Sequence, residues 1–167
     1  IQKPSVCNAL ETLLIHKDVA EKFAPQIAEN LFAKNVELRG DDAFQQLAGV
    51  DVKPATADDW TAEYLDYILA VRVVDRLDDA ITHINEFGSH HTDSIVTANG
   101  AAADQFHLEV DSACVFWNTS TRFADGAEFG FGAEIGISTD KLHARGPMAL
   151  EELCSYKYLS FGSGQLK

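Results

Sequence analysis

Three cysteines, Cys7, Cys114 and Cys154, are the side chains of this chain best suited to act as nucleophiles. Their surroundings differ. Cys7 follows Pro4-Ser5 and opens a short apolar run, Val6 to Leu10, that suits a helical turn. The positive end of the peptide dipoles at such a start favours thiolate over thiol. The backbone N–H groups of Cys7 and Asn8 would also point so as to hold an oxyanion. A buried, inert cysteine is the competing reading. Cys114 lies in the apolar run Ala113 to Trp117 and Cys154 in a helix-like stretch, so both are expected to pack in the interior. The three are widely spaced, odd in number and without a C-x-x-C pair, which reads as a reduced, cytoplasmic type of protein rather than a disulfide framework.

Among the cations, Arg122 interrupts a loop otherwise short of positive charge. Its guanidinium fork suits a carboxylate or phosphate, and an ordinary salt-bridged surface arginine is the alternative. His143 and Arg145 carry the same two readings. His90-His91-Thr92-Asp93 is the densest set of metal-ligand types, but neighbouring side chains point apart and no second cluster completes a ligand set, so no metal site is expected. Gly130-Phe131-Gly132-Ala133-Glu134-Ile135-Gly136 has the spacing G-x-G-x-x-x-G, which is not the dinucleotide fingerprint. Those glycines are expected to let backbone approach a ligand or a neighbouring chain. Asn118-Thr119-Ser120 matches a glycosylation sequon and, with no export signal in view, is taken as chance.

These side chains need a scaffold. With 167 residues, 46% of them hydrophobic, the chain suits one globular domain. It has no apolar run long enough to span a membrane and no apparent secretion leader. A net charge of −13 opposes a nucleic-acid partner, so any anionic substrate must be drawn in by a local cationic pocket. Thr12-Leu13-Leu14-Ile15 suits a buried strand. Val19, Phe23, Ile27 and Leu31 recur every four residues, as on one face of a helix that starts at Lys17-Asp18 and ends near Asn35. Residues 36 to 66 show no regular pattern. Ile68 to Val74 reads as a strand buried on both faces, and Leu77, Ala80, Ile81 and Ile84 as a helix stopped by Gly88. A strand over Ser94 to Thr97, a helix over Ala101 to Val110 and a strand over Ala113 to Trp117 complete the alternation. That order predicts βαβ units and a parallel sheet, an α/β fold. Residues 118–147 then form a long polar, Gly-rich loop at a strand's carboxyl end, where such folds place ligands.

Pro4-Ser5-Val6-Cys7-Asn8-Ala9-Leu10-Glu11-Thr12-Leu13-Leu14 resembles the nucleophile segment of gamma-glutamyl phosphate reductases, also called glutamate-5-semialdehyde dehydrogenases, of the aldehyde dehydrogenase superfamily. Gly88-Ser89-His90-His91-Thr92-Asp93, Val110-Asp111-Ser112-Ala113, Asn118-Thr119-Ser120-Thr121-Arg122-Phe123-Ala124-Asp125-Gly126 and Leu142-His143-Ala144-Arg145-Gly146-Pro147 resemble further motifs in the family's order. The resemblance implies a three-layer α/β domain with a mostly parallel twisted sheet, of the aldehyde dehydrogenase catalytic-domain type. It implies NADPH-dependent reduction of L-glutamyl 5-phosphate to L-glutamate 5-semialdehyde in proline biosynthesis, through a thioester on Cys7, with Asn8 beside it in the catalytic segment. On charge and position, Asn118, Ser120, Thr121 and Arg122 are expected to grip the substrate. Glu63 resembles the glutamate that holds the nicotinamide ribose.

The same resemblance divides the chain into residues 1–155, a catalytic domain with substrate loop 118–147, and residues 156–167, the last strand of a sheet that bridges subunits of a homo-oligomer. The family's N-terminal cofactor domain is not in this chain, which is therefore expected to be catalytically silent alone. Two alternatives stand beside this reading. One is the reductase end of a bifunctional kinase–reductase. The other is a non-catalytic binding or assembly domain of the same fold, against which the retained Cys7 and Arg122 count.

Overall fold

The computed structural model describes residues 1–166. Its centre is a four-stranded parallel sheet made of β1 (Thr12–His16), β2 (Glu37–Gly40), β3 (Lys53–Pro54) and β4 (Ile68–Val74), in the order β1-β4-β2-β3. Thr12 pairs with Ala70 and His16 with Val74, so β4 sits between β1 and β2. Leu69, Val71 and Val73 alternate onto one face with Leu13, Ile15 and Leu38, as the two-residue period of a strand requires. That face is covered by α1 (Lys17–Phe32) and α2 (Asp42–Ala48). Arg72 points to the opposite face, where it meets His83 of α3 (Leu77–Phe87) at 2.9 Å. Helix, sheet and helix make three layers.

The period of α1 is as expected, but the buried face is displaced by one residue. Ala20, Ala24 and Ala28 lie against the sheet, while Val19 and Phe23 are largely exposed. Small side chains at every fourth position let the helix approach closely, and Ile27 and Leu31 seal its edge. The His16 side chain caps the helix by accepting from Asp18 N–H at 3.2 Å. The stretch from 36 to 66 is more regular than its sequence suggested. Asp41 caps α2 by accepting from Phe44 N–H at 2.8 Å, and its other oxygen accepts from Val73 N–H at 3.0 Å, locking α2 to β4. Two buried residues, Phe44 and Ala48, suffice to seat a helix only two turns long, too short to show a period.

The second body of the fold pairs β5 (Thr92–Ile95) with β6 (Cys114–Trp117) in parallel across α4 (Gly100–Glu109). Ile81, Phe106 and Val110 form its core. β5 therefore starts two residues earlier than expected. Segment 118–147 is not one open loop. It contains a tight 3-10 turn, Thr121–Phe123, and an antiparallel pair, β7 (Gly136–Ser138) with β8 (Gly146–Met148). Gly130 and Gly132 hold φ near +80°, the left-handed region that glycine adopts without strain. Tyr156 to Phe161 forms no strand within this chain and is exposed; no free sheet edge of the same chain takes it up. Lys167, the last residue of the expected terminal strand, lies outside the described residues. No helix among the described residues is long and apolar enough to cross a membrane.

Candidate active site

Cys7 is exposed, in a turn closed by Ala9 N–H donating to Val6 O at 3.0 Å. The turn is not the start of a helix, and the expected thiolate-favouring dipole is correspondingly missing. Burial of the sulfur pushes the thiol pKa up from its usual value, and the charge of Glu134 adds to that. Hydrogen bonds from the backbone N–H groups of Cys7 and Asn8, and the charge of Arg122, act the other way and are outweighed. The two N–H groups are directed at the Cys7 sulfur.

Asn8 is buried, and its side chain is a staple between the two ends of the chain. Its Oδ1 accepts from Arg122 Nη1, and its Nδ2 donates to Ala124 O at 3.0 Å. Thr121 Oγ1 donates back to Asn8 O at 2.8 Å, and Ser120 Oγ caps the 3-10 turn by accepting from Arg122 N–H at 3.2 Å. Cys7, Asn8, Ser120, Thr121 and Arg122 are therefore brought together. Asn118 is not free to join them. Its backbone has φ +54°, and its amide is paired both ways with Thr97, accepting from N–H at 2.9 Å and donating to O at 2.8 Å.

Arg145, read from sequence as a possible anion clamp, is committed to the fold. It donates to the Asp111 carboxylate and carbonyl at 2.9 Å each and to Thr139 O at 3.1 Å, while Lys141 takes the other Asp111 oxygen. His143 is exposed. Cys114 is buried as expected, but Cys154 is exposed, because the stretch around it forms a surface turn rather than a packed helix.

His91, Asp93 and Glu134, named from sequence only within longer strings and given no role there, lie near one another. His91 is buried, its Nδ1 2.6 Å from Thr92 Oγ1 and its Nε2 without a partner. Burial pushes the imidazole pKa down, against the pull of Glu134 and Asp93. Asp93 is bound by Ser112 Oγ at 2.5 Å. Glu134 Oε2 accepts from Gly126 N–H at 3.1 Å, and its charge reaches Cys7, His91 and Cys114 alike. On the Cys7 side of the central sheet, a groove of about 670 Å³ is lined by Glu11, Tyr64, Ser120, Thr121 and Arg122 among others. Glu11 is half-buried. Burial, then the nearby Glu63, pushes its carboxyl up to about 7. Glu63 itself is exposed.

No family model matches the chain. Its sequence is 59% identical over 166 residues to a gamma-glutamyl phosphate reductase of Geotalea daltonii, covering 99% of this chain and 40% of that protein. The chain is homologous to gamma-glutamyl phosphate reductases along its whole length. In structure it superposes on the crystal structure of the gamma-glutamyl phosphate reductase of Thermotoga maritima with a TM-score of 0.95 at 48% identity, over 99% of this chain and 40% of that one. The chain thus spans about two fifths of the length of the gamma-glutamyl phosphate reductases it matches. An acetylating aldehyde dehydrogenase from Geobacillus thermoglucosidasius, only 14% identical, shares the fold with a TM-score of 0.59 over 99% of this chain and 46% of that one. The α/β domain is of the aldehyde dehydrogenase type. The three-layer parallel architecture expected from the sequence is the one observed.

Proposed function

We propose that this chain carries the nucleophile and part of the substrate site of a gamma-glutamyl phosphate reductase, which reduces L-glutamyl 5-phosphate to L-glutamate 5-semialdehyde in proline biosynthesis. The observation that carries this reading is the assembly of Cys7, its two N–H donors and Arg122 by one network centred on Asn8. The homology supports the same reading from outside the geometry.

In this proposal the Cys7 sulfur attacks the acyl carbon and the carbon–oxygen bond to phosphate breaks, leaving a thioester on Cys7. The N–H groups of Cys7 and Asn8 stabilise the oxyanion at each tetrahedral stage. Arg122, with Ser120 and Thr121, offers charge and hydroxyl groups to an anionic end of the substrate. NADPH, when bound, supplies the hydride that takes the thioester to the aldehyde level. Glu63 fits the part of holding its ribose: the carboxylate is exposed on the loop before β4 and so is open to sugar hydroxyls. The remaining cofactor contacts belong to the part of the gamma-glutamyl phosphate reductases that this chain does not span, so the chain alone is proposed to be inactive. Residues 156–167 are proposed to join a subunit-bridging sheet, in a cytoplasmic homo-oligomer.

The test is turnover of L-glutamyl 5-phosphate by the full-length protein with NADPH. Cys7→Ala should abolish it, and Arg122→Ala should raise KM by about 100-fold, the equivalent of one lost charge-assisted contact. Turnover that survives in Cys7→Ala, or an unchanged KM in Arg122→Ala, would remove the corresponding assignment.

A further inference from the structure

Arg39, Arg76 and Arg145 each lie within ion-pair distance of a carboxylate. Arg122 does not. No carboxylate of the described residues reaches it, although Glu11 and Glu128 line the same groove. What holds Arg122 is a neutral amide, since Asn8 Oδ1 accepts from its Nη1. Arg72 is likewise held by a neutral group, His83, but it lies on the α3 side of the sheet and lines no part of this groove. We infer that Asn8 is a positioning residue, which aims Arg122 at the groove with its positive charge uncompensated and so gives the site its preference for an anionic substrate. The inference rests on the reading of Arg122 as the group that meets the anionic end of the substrate, and adds what keeps it fit for that part.

The hold on Arg122 calls for an amide. Asn8 is 4% exposed, so each of its polar atoms needs a partner inside the protein. Its Nδ2 donates to Ala124 O at 3.0 Å and, more weakly, to Arg122 O at 3.5 Å. Its backbone carbonyl accepts from Thr121 Oγ1 at 2.8 Å. One residue therefore fastens the 3-10 turn on both sides of Arg122 and the Arg122 side chain as well. A carboxylate at this position would accept from Nη1 equally well. It would have no proton for Ala124 O, however, and it would cancel the guanidinium charge.

The far edge of the guanidinium stays open. Asn8 takes one N–H of Nη1, while Nε and Nη2 make no hydrogen bond among the described residues. That edge is the planar fork that meets a carboxylate or phosphate through two parallel bonds. With a carboxylate as its holder, Arg122 would offer a substrate almost no net charge, and a chain of net charge −13 would repel an anion. The neutral hold is what makes a local cationic spot in an acidic protein.

The experiment measures KM for L-glutamyl 5-phosphate, with NADPH, in the full-length protein and in Asn8→Asp, Asn8→Ala, Arg122→Ala and the two double variants. Every variant keeps the backbone N–H at position 8, and a thermal melt of each shows whether it is folded. The order of the two changes at Asn8 decides. Alanine loses both side-chain hydrogen bonds but leaves Arg122 charged, whereas aspartate keeps the bond to Arg122 and neutralises it. KM should rise by about 50-fold in Asn8→Asp and by about fivefold in Asn8→Ala. In the Arg122→Ala background neither change should move KM by more than about twofold, because the residue they act through is gone. An Asn8 that only staples the turn gives the reverse order, with alanine the worse, and that result overturns the inference. So does an equal rise with and without Arg122, which would mean that the new carboxylate repels the substrate itself. If Asn8→Asp does not fold, Asn8→Ala decides alone: its effect on KM must vanish in the Arg122→Ala background, and an effect that persists overturns the inference. An unchanged KM in Arg122→Ala by itself would instead count against the substrate role proposed for Arg122, and the inference would fall with it.

Discussion

Glu11 shows how one side chain reports its surroundings. It precedes β1, its backbone carbonyl accepting from Ala70 N–H at 3.0 Å, while its carboxyl is half-buried near a second carboxylate, Glu63. Its pKa of about 7 in the folded chain lies above the usual 4.5. An acid with a raised pKa binds more proton in the folded state between those two values, so stability falls as pH rises through that window and the loss is complete above pH 7. Glu11→Gln removes the loss. It should raise Tm at pH 8 by about 2–4 °C, an effect on the order of 1 kcal/mol once solvent screening is allowed for, and leave Tm at pH 4 unchanged. Thermal melts of both proteins at the two pH values check this; equal shifts at both would mean that packing, not charge, is involved. Nothing in the string Leu10-Glu11-Thr12 announces such a group, because its partner is 52 positions away in sequence and meets it only through the pairing of β1 with β4. The proximity of Glu134 to His91 was hidden for the same reason. Cys7 and Arg122 could be named as candidates from residue type, and the resemblance to gamma-glutamyl phosphate reductases supplied the roles expected of them.

At the scale of elements, Asp59 is the residue that fastens the irregular stretch between β2 and β4. It sits buried in the 3-10 turn Ala57–Trp60, where Arg39 Nη1 donates to it at 2.7 Å, Thr56 N–H at 2.7 Å and Tyr64 Oη at 2.8 Å. Burial on its own would push its carboxyl up, but these donors together hold it well below the usual carboxylate range. A depressed folded-state pKa means that the stabilisation is present above the unfolded value, about 3.9, and is lost as pH falls below it. Asp59→Asn should therefore cost about 2–3 kcal/mol at pH 7, leaving Arg39 without its buried partner, and the gap should narrow in urea unfolding at pH 3. A constant gap across that range would mean that shape rather than charge holds the turn. From sequence this stretch had no visible order, since its elements are two to seven residues long and depend on single side chains. The long, strongly periodic elements were legible: β4 and α3 stand within a residue of expectation, and α1 starts where expected but ends three residues early, at Phe32. In α1 the face was also misjudged, because large apolar residues outweigh alanines in a sequence pattern although alanines pack closest to the sheet.

Residues 156–161 form an exposed, largely aromatic segment. Tyr156, Tyr158 and Phe161 are 83–91% exposed, and no strand of the same chain pairs with them. With a net charge of −13, copies of the chain repel one another at low ionic strength, and salt screens that repulsion. If the tail bridges subunits, the full-length protein should run as an oligomer that tightens between 0.02 and 0.5 M salt, on the order of a fivefold change in Debye length. The same protein ending after residue 155 should then run as smaller species in light scattering at both salt concentrations. Identical masses with and without the tail would remove it from the interface. Such long-range dependence was the least legible layer of the sequence, because a strand pattern does not say whose sheet it joins.

Asn8 meets Arg122 and Ala124 across 114 and 116 positions of chain. Synthesis runs from the amino end, so Cys7 leaves the ribosome long before either partner exists. Until they arrive only the local bond from Ala9 N–H to Val6 O holds its turn, and closing so long a loop is costly in entropy. An unfinished polypeptide therefore displays an isolated cysteine, and the site proposed around Cys7 is assembled only when the last third of the domain has folded back onto the first ten residues.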